Sequence, residues 1–395
     1  MIDVATAKRL LGDSVKPLNP ASRPLSAAYG LVIAKPITAK LDSPRFDQSA
    51  VDGYALIGKG CPVDGKLRFE VVGELKAGAG PISKTSVGTA YRIFTGAPVP
   101  SGAYCVVMQE HVMVSNGLIE FSVDHCKSGA NIRRRANHFK KGQRLLDVGL
   151  TMGPAAIGLL TAQGFTRVSA YPHPRISILV TGDELVASGS KLPPGSIYES
   201  NGPMLCAALE QQGFDVERVQ RCVDDRTKLK KKIQSLLATS DMLIVTGGIS
   251  VGKYDLVKST LEQLGVKTLF HKVSQKPGKP LYAGVKQKKI VFGLPGNPAA
   301  VLVCFLQYVL PALKLQAGQK DAFPSPVAVP LAHPIHVKGD RDQFLRGKLQ
   351  HGQLLIDSAQ DSDNLLSFAT ADRLVHIPAG VTSLSAGESV DTYSF

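Results

Sequence analysis

Between residues 173 and 318, short apolar runs alternate with stretches of helical periodicity, and this alternation restricts the possible folds more than any other feature of the chain. The runs ISILV, FDVERVQRCV, MLIVTGG, TLFHKV and KIVFGL read as strands. The segments Pro203 to Gln212, Lys228 to Leu237, Leu256 to Leu264 and Pro298 to Leu315 read as helices. Strands that are apolar without alternation are buried on both faces. Strand–helix alternation of this length predicts a doubly wound, mostly parallel α/β domain. Ligands of such sheets lie beyond the carboxyl ends of the strands, so the residues after each strand are where chemistry is expected.

Those residues are unusual. Thr181-Gly182-Asp183-Glu184 follows the first run, and Asp224-Asp225 follows the second. Thr246-Gly247-Gly248-Ile249-Ser250-Val251-Gly252 follows the third, with Asp255 just beyond. Lys276-Pro277-Gly278-Lys279-Pro280 follows the fourth, and Gly293-Leu294-Pro295-Gly296-Asn297-Pro298 the fifth. Glycines admit an anion close to backbone N–H groups. Pro298 suits the first turn of a helix, whose positive end favours anions. Lys276 and Lys279 are point charges for phosphate or oxyanion. Glu184, Asp224 and Asp255 are hard oxygen donors suited to Mg²⁺ held jointly with substrate phosphates. Together they predict a phosphorylated ligand with a divalent cation between. Taken singly, Asp224-Asp225 also fits a helix cap, and the lysines also fit solvated turns.

The texture differs elsewhere. Residues 1–52 and 138–172 mix helical pattern (Val4 to Leu11, Ala27 to Ile33, MGPAAIGLLTAQG) with Pro-rich turns. Residues 53–137 carry short β-type runs and predict a small β-rich module. FPSPVAVPLAHP reads as a linker, and residues 323–395 predict a β-barrel-like or sandwich domain.

Composition narrows the partners. The net charge of +14 favours anions. The chain has no Trp and 6% aromatics, which disfavours a base-stacking single-strand binder. Its lysines cluster at strand ends rather than along one helix face, so no nucleic-acid partner is expected. The six cysteines show no CxxC pair and read as reduced thiols. No apolar signal region opens the sequence, and the apolar stretch Ala299 to Leu313, interrupted by Gln307 and Pro311, reads as too short for a bilayer. A cytoplasmic protein with no membrane partner is the expectation. The runs Arg133–Arg135 and Lys230–Lys232 read as solvated basic faces.

The strings FDQSAVDGYA, RIFTGAPVP, NIRRR, TGDEL, IYESN, GGISVG, KPGKP and GLPGNP occur in that order from residue 46 to 298. In this set and order the chain resembles the molybdopterin molybdenumtransferase family, which includes bacterial MoeA, plant Cnx and the E domain of gephyrin. The resemblance implies a multidomain chain around a molybdopterin-binding α/β domain. It also implies insertion of molybdate into adenylated molybdopterin, with release of AMP and with Mg²⁺ as helper. It further implies an elongated homodimer, dimerising through the N-terminal and linker region, with each site between one subunit's α/β domain and the other's β-rich region. A molybdopterin adenylyltransferase and apo-molybdoenzymes are the partners it suggests. Asp52 and Thr95 fall on family active-site positions contributed across the dimer. Glu184, Asp224 and Asp255 fall on acidic positions of the α/β pocket, and Lys272, Lys276 and Lys279 on its basic ones. Ser250, Pro295 and Pro298 match loops near the oxyanion and pterin, with Thr181, Gly247, Gly248 and Asn297 beside them, and Ser367 matches the last domain's contribution.

The sequence departs from the family pattern at Ala136-Asn137-His138, where Gly-Glu-Asp is usual, at Glu199 for Asp, at Ser274-Gln275 for apolar residues, and at Asp361-Ser362-Asp363 for Gly-Ser-Gly. Two other readings stand beside the transferase. One is a molybdopterin adenylyltransferase, whose stand-alone domain lacks the β-rich modules. The other is a divergent non-catalytic scaffold, to which His138 lends weight.

Overall fold

The structure, a computed structural model, describes residues 1–249 and 256–395. It divides into two units. One comprises residues 1–35, 148–157 and 166–395, and the other residues 36–147 and 158–165.

The first unit is organised by a six-stranded sheet. Its order is Val216–Cys222, Ile176–Thr181, Met242–Thr246, Lys289–Leu294, Tyr282–Lys286, Lys267–His271. The first four strands are mutually parallel. Tyr282–Lys286 runs against both of its neighbours, which returns Lys267–His271 to the common direction. The sheet is therefore mixed, with a single reversed strand that is not evident from the sequence. That strand and the next are joined by Gln287-Lys288, with Gln287 at positive φ, rather than by the Asn-Gly that announces a tight hairpin.

Both sheet faces are covered. Ile178, Val180, Ile244 and Phe292 pack on one side with Leu205 and Leu209 of the helix Asn201–Gln211, with Val4, Ala7 and Leu11 of the helix Val4–Ser14, and with Val301 and Cys304. The intervening Leu179, Leu243, Val245 and Val291 pack on the other side with Leu229, Ile233 and Leu236 of Arg226–Thr239 and Val257 and Leu261 of Leu256–Gln263. Successive strand residues point to opposite faces, so most positions of these strands are apolar, and buried Ser177 is satisfied by the hydroxyl of Ser240 at 2.7 Å. Each apolar side chain contributes about 1.5–3 kcal/mol on burial.

Residues 298–316 form continuous helix, α-helical at Pro298–Cys304 and Leu310–Gln316 with a π-helical segment, Phe305–Val309, between. Neither Gln307 nor Pro311 ends it. The wider π turn accommodates the proline ring that would clash in a regular helix, and Gln307 accepts a hydrogen bond from Lys8 Nζ at 2.7 Å. At 19 residues and mean hydropathy 1.7 the helix is long and apolar enough to cross a membrane, contrary to the shorter span expected, but 72% of it is buried in the unit's core.

The predicted helical stretch at Ala27 to Ile33 does not form. Gly30 adopts positive φ, and the β-branched Val32–Ile33 pairs with Ala170 and Tyr171 of the strand Arg167–Tyr171. Between 138 and 172 helix is confined to Pro154–Ala162. The expected linker contains an edge strand, Val327–Pro330, where a terminal proline costs no ladder hydrogen bond. It pairs with Ser389–Ser394, which pairs with Arg373–Ile377 and through it with Asp342–Gln350. Gln353–Ile356 joins the last of these, and Leu331 bridges to Leu354.

The second unit holds another six-stranded sheet, in the order Ala103–Met108, Gly53–Ile57, Thr89–Ile93, Lys66–Leu75, Leu118–Ser122, Met113–Ser115. The run Arg133–Arg135 is exposed, as expected of a solvated basic face, and two of its guanidiniums carry ion pairs. Arg134 Nη1 meets Asp47 at 2.6 Å and Arg135 Nε meets Asp42 at 2.6 Å. At Gly53 an added Cβ would lie 2.0 Å from the carbonyl oxygen of Val107 on the adjacent strand. Backbone cannot yield as a flexible side chain does. Gly53→Ala is expected to destabilise this unit by about 1–3 kcal/mol, read as a lowered midpoint in urea unfolding followed by a probe within residues 36–147.

Candidate active site

The common strand direction brings five loops to one edge, where they enclose a cavity of about 720 Å³. Its wall includes Thr181, Gly182, Glu184, Asp224, Gly247, Gly248, Lys276, Lys279, Pro295, Asn297 and Pro298. In sheet order the carboxylates follow the Val216–Cys222 and Ile176–Thr181 strands, the glycines follow Met242–Thr246, the prolines follow Lys289–Leu294, and the lysines follow Lys267–His271 at the far edge. The cavity is thus acidic at one end and basic at the other.

Close backbone approach fixes the loops. Gly247 and Gly248 have φ of 81° and 62°, and a Cβ at Gly247 would sit 2.3 Å from Thr181 O. Thr181 Oγ1 donates to Thr246 O at 3.3 Å. The Asp224 N–H donates to Asp183 Oδ1 at 3.0 Å, which ties the two acidic loops together. The helix cap and the cavity-lining acid are different residues: Asp225 Oδ1 accepts from Lys228 N at 2.7 Å, while Asp224 faces the cavity.

The lysine loop is held from a second direction. Gln275–Lys276 forms a two-residue strand parallel to Asp342–Gln350. Buried Gln275 donates to Pro277 O at 2.9 Å and accepts from the Tyr308 hydroxyl, so this polar residue is satisfied in the interior. The pairing also brings Arg341 to the cavity wall. Asn297 Nδ2 donates to Ser362 Oγ at 2.7 Å, and Ser362 and Asp363 line the same wall. Glu199 caps the helix Asn201–Gln211, with its Oε1 accepting from Gly202 N at 2.7 Å.

Some predicted residues lie elsewhere. Lys272 is not part of the cavity wall; it sits at positive φ, with its N–H donating to Leu281 O. Ser367 is buried away from the cavity and accepts from Arg346 Nε at 3.0 Å. Ser250 and Asp255 lie outside the described residues. Arg341, Ser362, Asp363 and Asn201 complete the wall without having been singled out as site residues. Asn201 ends the IYESN string, whereas Arg341 arrives through the pairing of residues 275–276 with 342–343 and Ser362 through its bond with Asn297, long-range contacts that no local pattern encodes.

In the second unit, Asp52 and Thr95 meet across 43 residues of chain. Asp52 Oδ1 accepts from Thr95 N at 2.8 Å and from Thr95 Oγ1 at 2.7 Å. These two donors, with Arg92, hold the Asp52 carboxyl below its ordinary value.

Asp224 moves the other way. Burial, and then the charges of Asp183 and Glu184, push its carboxyl above the usual range. Among the described residues no three His, Cys, Asp or Glu side chains gather closely enough to hold a metal alone. Glu184 and Asp224 still fit Mg²⁺ chemistry, in which one or two carboxylates share the ion with substrate phosphates, and a cation there would relieve the crowding that raises Asp224.

Residues 177–315 match the probable molybdopterin binding domain, residues 2–164 the MoeA N-terminal region (domains I and II), and residues 328–395 the MoeA C-terminal region (domain IV). A molybdopterin molybdenumtransferase from Nostoc sp. is 35% identical over 93% of this chain and 86% of its own length. Molybdopterin molybdenumtransferase 2 of Mycobacterium tuberculosis is 31% identical over 100% and 99%. The crystal structure of the molybdopterin biosynthesis MoeA protein of Pyrococcus horikosii superposes with a TM-score of 0.83 at 29% identity, covering 100% of this chain and 99% of that one. The chain belongs to the MoeA family.

The raised Asp224 sets a pH signature. As pH rises the unfolded chain gives up this proton first, so the stability associated with Asp224 is present at low pH and lost as pH climbs through the shifted value. Asp224→Asn is expected to melt above the wild type at about pH 7 and to converge with it below the ordinary carboxylate range. Scanning calorimetry across pH checks this, and a gap independent of pH contradicts it.

Proposed function

We propose that this chain is a transferase of molybdenum cofactor biosynthesis that inserts molybdate into adenylated molybdopterin and releases AMP. The observation that carries the reading is one cavity edge with Glu184 and Asp224 at one end and Lys276 and Lys279 at the other, in a chain related throughout its length to molybdopterin molybdenumtransferases. Both substrates are anions. Lys276 and Lys279 attract molybdate and phosphate oxygens, and the N–H groups of the Gly247-Gly248 turn add fixed donors where charge collects. Pro295 and Pro298 stiffen the loop that Asn297 fastens to Ser362. Glu184 and Asp224 would hold Mg²⁺, which when bound offsets charge on the leaving phosphate. The carboxylates orient that end of the substrate, while the lysines restrain the other until the phosphoanhydride is cleaved and molybdenum reaches the dithiolene.

The matches on both sides of the α/β region favour this reading over a stand-alone adenylyltransferase. Homodimerisation, with Asp52 and Thr95 supplied by a second copy, follows from the family resemblance. So do a cytoplasmic location and handover to apo-molybdoenzymes. The closing of the C-terminal strands through Leu331 and Leu354 supports a barrel-like last domain.

Purified protein given adenylated molybdopterin, Mg²⁺ and molybdate should release AMP and activate an apo-molybdoenzyme. Lys276→Ala and Asp52→Asn should each lower the rate about 10²–10³-fold with the fold unchanged by circular dichroism. Wild-type rates in both variants would falsify the site assignment.

A further inference from the structure

The two lysines of the cavity wall are held only through their backbone. Both are exposed, and among the described residues neither ammonium has a hydrogen-bond or ion-pair partner. Where their charges stand is therefore decided by the loop that carries them. The neck of that loop is closed by Val273 N, which donates to Lys279 O at 3.0 Å. Between the lysines lie Pro277 and Gly278, both buried. Carbonyls of buried residues need donors, and here the donors come from the layer beneath.

That layer is the core helix of residues 298–316. Gln275 Nε2 donates to Pro277 O at 2.9 Å, which turns the other amide atom, Oε1, to the Tyr308 hydroxyl that donates to it. Cys304, on the same helix, places Sγ 3.8 Å from Gly278 O. An added Cβ at Gly278 would stand 2.6 Å from the same sulfur, so the loop lies directly on the helix. Gln275 and Tyr308 are each 0% exposed, and no water competes for their bond. Burial pushes the Tyr308 hydroxyl well above the ordinary tyrosine range, which keeps it a donor. Tyr308 belongs to the π-helical segment Phe305–Val309, an irregularity of the kind frequent at functional sites.

We propose that Tyr308 is a positioning residue: acting through Gln275, its hydroxyl fixes the Pro277 carbonyl and with it the placement of Lys276 and Lys279, so that anion affinity at the basic end of the cavity is set from within the core. The step rests on the reading above, in which these lysines take molybdate or phosphate oxygens. Without the hydroxyl, the Gln275 amide has no reason to keep its orientation, and the carbonyl it holds is released. The charge of the site stays the same and only its geometry changes. A displacement of about 1 Å caused by a residue away from the ligand can cost up to about 10²-fold.

Calorimetric titration of the full-length chain with sodium molybdate tests this, each variant first being shown folded by circular dichroism at the temperature used. Wild type should bind, and Lys276→Ala should not. Tyr308→Phe removes one oxygen and no charge, and should weaken binding about tenfold. Gln275→Met keeps the side-chain length, loses both hydrogen bonds and should weaken binding at least as much. Adding Tyr308→Phe to Gln275→Met should bring no further loss, because the relay is already cut. Ser177→Ala supplies the control for stability alone. It breaks the buried bond to Ser240 in the same unit, away from the cavity wall, and should lower the urea midpoint with affinity unchanged. Wild-type affinity in Tyr308→Phe, a further loss in the double variant, or an equal loss in Ser177→Ala overturns the assignment and leaves the proposed function standing. No molybdate binding by wild type, or full binding by Lys276→Ala, overturns the reading of these lysines as the anion site, and this assignment with it.

Discussion

Burial of both faces of one sheet is the constraint on which the rest of the first unit depends. Strands such as Ile176–Thr181 and Met242–Thr246 are apolar at nearly every position short of their carboxyl ends because helices cover them above and below. Nothing charged can leave such a strand sideways, so polar chemistry is displaced to the edges. Because five strands share one direction, their carboxyl ends share one edge, and residues from 181 to 298 become neighbours there. The tight approach of Gly247 to the carbonyl of Thr181 locks adjacent loops at the centre of that edge.

Much of this is legible in the sequence, because the relevant signals are local. Apolar runs mark buried strands, and clusters of glycine, proline and acidic residues mark the loops at their ends. The strand Tyr282–Lys286 escapes because its turn residues, Gln287-Lys288, carry none of the usual hairpin signals. Val32–Ile33 reads as helix because a short apolar run has no period of its own; its partner strand lies more than a hundred residues away. The run Arg133–Arg135 is solvated as read, but the ion pairs of Arg134 and Arg135 are hidden for the same reason, since Asp47 and Asp42 lie far away in the chain.

The site is half legible. Glu184, Asp224, Lys276, Lys279 and the GLPGNP loop belong to single strand ends and can be found one at a time. Arg341, Ser362 and Asp363 reach the cavity only through pairing between distant segments. Ser367, placed at the site by likeness, is buried away from it as a partner of Arg346. Burial of Asp224, and then the nearby charges of Asp183 and Glu184, disfavours its ionised form in the folded chain.

The two-residue strand Gln275–Lys276 has a consequence for the order in which the molecule is completed. Its partner, Asp342–Gln350, and the wall residues Ser362 and Asp363 come after every strand of the α/β sheet in the chain. The α/β sheet closes on strands that end at Leu294, yet the lysine loop lacks its second support until the later strand pairs with it. The lysine loop is therefore shaped by a segment that follows the whole sheet in the chain, so its geometry depends on two separately formed parts of the fold.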